Sequence, residues 1–175
     1  MQPAYFTRPP STEHAPGFAK YIALPPEGDL PAFLTAQLHD LQKLLANISD
    51  QDALTLHAPY TWTIKQVLGH ITDCERVFGY RLLRLARQDA TPLPSFDENA
   101  WMQHATFNQS PIAALLEEFT HLRRSHLALI RHIPADAWLF AGTVSNHPMT
   151  TRAMLYALAG HAQHHLHILH QRLDR

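Results

Sequence analysis

Five histidines fall within ten residues near the C-terminus, HAQHHLHILH at 161–170, interleaved with leucine and isoleucine. Projected at about 100° per residue, His161 and His165 share a stripe with Met154, Leu158, Ile168 and Leu169. His167, His170 and Gln163 fall on the opposite side, and His164 lies on the boundary as a wet flank of the helix. Two imidazoles at i and i+4 stand within roughly 5–6 Å of each other, and burying them is costly unless their nitrogens find partners. One metal ion would serve both; two core histidines satisfied by carbonyls or water are the plainer alternative. In another apolar stripe His70 lies amid Val67, Ile71, Cys74 and Phe78, so it points inward as well. Three neutral imidazoles, His70, His161 and His165, from two facing helices would hold a divalent cation and leave a coordination position for water or substrate.

Other metal patterns fit less well. HAQHH lacks the glutamate of the HExxH zinc motif, and a single ExxH, Glu118 to His121, falls short of the two that di-iron carboxylate sites use. His121 also projects away from Leu115, Phe119 and Leu122, onto a solvated face. His126 does fall on the apolar stripe of its segment, as an extra ligand, a partner behind a ligand, or a satisfied core histidine. Asp73, one turn after His70, either orients a ligand or pairs with Arg76 or Lys65. Arg81 projects inward, where a guanidinium needs a carboxylate such as Glu75 or a loop aspartate, or binds an anionic substrate group.

Four amphipathic segments of helical period must position these residues. The first covers 29–47, with Asp29 as N-cap and Pro31 in the opening turn; residues 1–28 before it read as an extended leader packed on the bundle. The second begins at TWTIKQVLGH, where Thr63 and Gln66 make a capping box, and runs through CERVFGYRLLRLARQ. The third opens at Ser110-Pro111, a cap followed by a first-turn proline, and stops at Pro134. The fourth starts near Thr150. The link at 89–109 is long for a compact domain, which predicts a short helical turn at 97–103 and places Asp97 and Trp101 where they cover the mouth of the site or plug the core. No β-alternation appears, so the expected architecture is all-α: one domain, 1–175, a four-helix bundle with a crossover between its second and third helices.

Composition excludes several classes. Lysine plus arginine number 14 against 15 acidic side chains, which argues against a nucleic-acid binder or a polybasic membrane patch and for a small-molecule partner. No stretch approaches the roughly 18 apolar residues of a membrane span. The single cysteine, Cys74, forms no internal disulfide and the N-terminus has no secretory pattern, so a cytoplasmic setting is expected.

Spaced blocks then carry a resemblance. W-[ST]-I-x-x-V-L-x-H over 62–70, D-x-E-R-V-F-x-Y-R over 73–81, P-L-P-x-F-D over 92–97 and G-H-x-x-H-H over 160–165 occur in order, and the chain resembles the DinB/YfiT-like superfamily, close to its branch of DinB-like metal-dependent hydrolases. The resemblance implies an up-down-down-up four-helix bundle and a metal held at His70, His161 and His165. It also implies chemistry: related members use bacillithiol or mycothiol in S-transfer, so the open metal position would activate a bacillithiol-type thiol, or else water for hydrolysis. The chain departs from the pattern at Cys74, a place often threonine, and at His126, usually small or hydroxylated. Zinc, nickel and iron all suit imidazole ligands. The rival readings are a stress-response protein with a purely structural metal, closed by a fourth ligand from His126, Asp73 or His164, and an interaction module that pairs as a homodimer.

Overall fold

The computed structural model describes residues 3–173. Its helices are α1 (Ala19–Ile22), α2 (Leu30–Leu45), α3 (Ile64–Ala86), α4 (Glu98–His104), α5 (Ile112–Ile130) and α6 (Thr151–Leu173), and a hairpin of β1 (Ala141–Val144) and β2 (His147–Thr150) precedes the last. Local sequence explains most of the ends. Asp29 accepts from the Ala32 N–H and opens α2. The capping box of α3 is complete: Thr63 Oγ1 accepts from the Gln66 N–H at 3.1 Å, and Gln66 Oε1 accepts from the Thr63 N–H at 3.0 Å. Asp97 caps α4, and Thr150 Oγ1 accepts from Ala153 at the head of α6.

Three expectations need correction. Residues 3–28 are not an extended leader: three single 3-10 turns (Ala4–Phe6, Ser11–Glu13, Pro16–Phe18) and α1 fill the segment. Residues 3, 10 and 15 adopt extended backbone just before each turn, and in each case a proline fixes φ at or beside that point. Packing on the bundle does hold, since Arg152 of α6 donates to Glu13 and to the Ala4 carbonyl. Ser110 does not cap α5 with its side chain; Asp50 reaches across to accept from the Ile112 N–H at 2.7 Å, while the Ser110 carbonyl accepts from Lys65. Thirdly, the chain is not purely helical, because residues 141–150 form a β-hairpin. Its two-residue turn, Ser145-Asn146, has positive φ at both positions (52° and 65°), the conformation that closes a tight hairpin. Leu93 of the long link hydrogen-bonds to this hairpin at Thr143 and Ser145, which pins the link over one end of the helices.

The four long helices form a four-helix bundle in which α2 and α3 each pack against both α5 and α6. Its interior divides into two apolar clusters. One, near the hairpin, holds Leu82, Leu85, Trp138, Met154 and Tyr156; the other, at the far end, holds Leu38, Leu68, Ile71, Leu115 and Leu166. Between them lies a buried polar layer containing Gln37, His70, Glu75, Arg123, His126 and His161. Buried polar groups persist only where partners satisfy them, so this layer is where function is expected. Among the described residues no helix is long and apolar enough to cross a membrane.

Candidate metal centre

His70 comes from the second turn of α3 and His161 and His165 from successive turns of α6, the two helices that make the most extensive contact in the bundle. Each of the first two follows a glycine, and both glycines are required by close approach. A Cβ on Gly69 would stand 2.3 Å from the Phe107 ring, and one on Gly160 would stand 1.9 Å from the Tyr21 carbonyl oxygen. Since a backbone atom cannot swing aside as a side chain does, Gly160→Ala is expected to push α1 off α6 and cost about 1–3 kcal/mol, read as a lower urea midpoint; an unchanged midpoint would show that α1 does not press on this turn.

The three imidazoles converge. His70 Nε2 and His161 Nε2 face each other at 3.1 Å, and one ring nitrogen from each of His70, His161 and His165 lies within 4.8 Å of the others. Ring centroids are 5.0, 4.8 and 4.6 Å apart for the three pairs. The rings are enclosed by aromatics: Trp62 against His70, Tyr21 and Phe78 against His161. That burial sets their charge. It pushes His70 down to about 4 and His165 down to about 3, and it holds His161 well below the usual histidine range, with the neighbouring imidazoles adding to the effect. All three are therefore neutral near pH 7, with lone pairs to offer. His165 Nδ1 is buried and has no hydrogen-bond partner among the described residues, a state that a protein interior seldom leaves uncompensated.

The model of the DinB superfamily matches residues 34–169, which run from within α2 to within α6. The chain belongs to the DinB superfamily. Its fold is similar to that of YfiT from Bacillus subtilis, described as a probable metal-dependent hydrolase with an unusual four-helix bundle topology. The TM-score is 0.74 at 18% sequence identity, covering 96% of this chain and 94% of that one. No curated protein matches significantly.

The remaining candidates of this DinB protein separate cleanly. His126 is a satisfied core histidine: its Nδ1 donates to Glu75 Oε1 at 2.9 Å, and its ring fills the space left by the absent side chain of Gly79. Asp73 pairs with Arg76, which also reaches Glu118, whereas Lys65 pairs with Asp50. Burial raises the Asp73 carboxyl above its ordinary value, with Arg76 acting against it. Cys74 Sγ sits 3.8 Å from both ring nitrogens of His70, and burial drives its thiol far up, with Glu98 and Asp73 contributing. His121 and His167 are exposed, as the projection placed them; His164 and His170 are half-buried, the one against Tyr21 and the other bonded to Asp40. Trp101 stacks on Phe96. Arg81 finds neither Glu75 nor a loop aspartate, because Glu75 is already held by Arg123 and His126; it donates instead to the Pro94 carbonyl.

Several contributors went unnoticed in the sequence. Tyr21 arrives from a turn with too short a pattern to register, and Glu98 lines the cavity beside His70 from α4. The repeated Gly-His step, at 69–70 and 160–161, was the available signal: each marks a helix turn that another element must approach closely.

Proposed function

We propose that this DinB protein is a metal-dependent enzyme acting on a small molecule, with one divalent cation held by His70, His161 and His165. The observation that carries the reading is the convergence of three neutral imidazoles, one with an orphaned buried nitrogen, beside a cavity of about 300 Å³ that His70 and His161 both line. The donor set fits zinc, nickel or iron. A cation bound there supplies Lewis-acid activation, lowering the pKa of a low-molecular-weight thiol for S-transfer or of water for hydrolysis. The chain itself orients the imidazoles through the Gly-His turns and excludes bulk water with Trp62, Tyr21 and Phe78.

An open, catalytic site is favoured over a closed structural one because no fourth His, Cys, Asp or Glu joins the cluster among the described residues. Each side chain that would have closed it is otherwise placed: His126 on Glu75, Asp73 on Arg76, His164 against Tyr21. The up-down-down-up order belongs to the same reading. Lys65 meeting Ser110 and Glu75 meeting Arg123 support α3 and α5 running in one direction, with the link at 89–109 as the crossover. A cytoplasmic setting is supported by a lone, buried cysteine.

Elemental analysis of protein purified without an affinity tag, coupled to thiol-transfer and hydrolysis assays on the metal-free and metal-restored forms, tests the proposal. We expect stoichiometric divalent metal and turnover that disappears on chelation and returns on reconstitution. Metal without turnover would support the structural alternative; a chain with no metal and no response to chelation would end both.

A further inference from the structure

The cavity beside the imidazoles has two chemically different ends. Its floor is formed by His70, Cys74 and His161; away from them, Arg81 lines it together with Phe78 and Phe96. Arg81 is 3% exposed, yet only one of its nitrogens is engaged: Nη2 donates to the Pro94 carbonyl at 2.5 Å and more weakly to Ser145 Oγ at 3.4 Å. Nε and Nη1 have no hydrogen-bond partner, and no carboxylate stands within ion-pair distance, among the described residues. Neither nitrogen is sealed from solvent, so both open into the cavity, where a guanidinium largely withdrawn from water is stabilised by an anion. The contrast with Arg123 is internal to the same bundle. That arginine, fully buried, is matched at both forks, by the two oxygens of Glu75 and by Gln37.

The surroundings of Arg81 define what would complete it. The ring centroids of Phe78 and Phe96 lie 5.9 and 5.3 Å from the guanidinium carbon, so apolar aromatic surface flanks the charge. Glu98 is the acid among the lining residues, and its charge acts on His70 and Cys74 at the histidine end. The cavity thus carries Arg81 with Phe78 and Phe96 on one side, and the imidazoles with Glu98 and Lys20 on the other. We propose that Arg81 binds the carboxylate of a small substrate with a planar, apolar body, so that the substrate's opposite end is directed to the three histidines. The substrate role rests on the enzymatic reading above; the anion site itself does not. The fork geometry of arginine suits a two-oxygen anion better than a lysine would.

The test uses benzoate as probe and benzamide as its neutral counterpart, titrated calorimetrically into metal-free and metal-loaded protein. Wild type should bind benzoate in both forms. Arg81→Gln keeps a donor for the Pro94 carbonyl but loses the charge, and should weaken benzoate at least about tenfold; Arg81→Lys should recover part of that loss, and weak benzamide binding should not change. If Arg81→Gln does not fold, Arg81→Lys alone must still weaken benzoate severalfold. Failure of wild type to bind benzoate, or equal binding by wild type and both variants, overturns the proposal and leaves Arg81 as a tether for the link at Pro94. Benzoate binding that vanishes with the metal but ignores Arg81 overturns it too, while supporting the metal centre. Arg81-dependent binding in a protein that takes up no metal would uphold the anion site and remove the reading built on the histidines.

Discussion

His165→Ala should weaken divalent-metal binding by more than about a hundredfold, the upper end of what loss of a partner behind a ligand already costs. The side chain supplies one of three converging imidazoles, and its Nδ1 is the one buried histidine nitrogen without a partner among the described residues. Two histidines at His70 and His161 would remain, too few to compete with water for the cation. Competition with a chromophoric chelator reads the change directly. His167→Ala is the matched control two residues away: its ring is exposed and bonds to Gln163, so metal affinity should stay within a factor of about two, since outlying surface changes rarely couple to a buried site. Equal losses in the two variants would mean that the metal is not held by the inner face of α6.

The second large effect concerns the buried ion pair that ties the layer together. Glu75 and Arg123 are 3% and 0% exposed, bonded at 2.8 and 3.0 Å through both oxygens. Arg123 also reaches Gln37, whose amide donates to the Ala159 carbonyl, so one network links α2, α3, α5 and α6 within two residues of His161. Glu75→Gln preserves the shape and removes the anion, stranding a buried guanidinium; a loss of about 3–5 kcal/mol is expected, seen in urea unfolding. The pH dependence has a definite sign. Burial alone would raise the Glu75 carboxyl, but Arg123 and the bond from His126 outweigh it and hold the group below its ordinary value. A depressed carboxylate contributes stability above its unfolded pKa and loses it as pH falls through the folded one. Wild type should therefore weaken on acidification from about pH 5 downward more steeply than Glu75→Gln. Parallel slopes would show that the pair carries no such linkage.

Much of this was legible in the residues themselves. Helical period placed His70, His161 and His165 inward and His121 and His167 outward, because burial on an amphipathic helix follows angle alone. Caps at Asp29 and Thr63 marked two helix starts, since each satisfies backbone donors within its own turn. What escaped depended on distant partners. Asp50 caps α5 from 62 residues away, a choice over Ser110 that no local window contains. The hairpin at 141–150 is too short for alternation to show, and only Ser145-Asn146 hinted at it. Arg81 was correctly placed inside, but its partner was not, because Glu75 faces two other claimants across the bundle.

The central claim is that side chains from α3 and α6 share one cation. X-ray absorption at the edge of the metal in stoichiometrically loaded protein counts its ligands. Three imidazole nitrogens plus at least one exchangeable light-atom ligand is the predicted shell, falling to two imidazoles in His70→Ala. A shell with fewer than three imidazoles in the unaltered protein, or one that His70→Ala leaves unchanged, would contradict it.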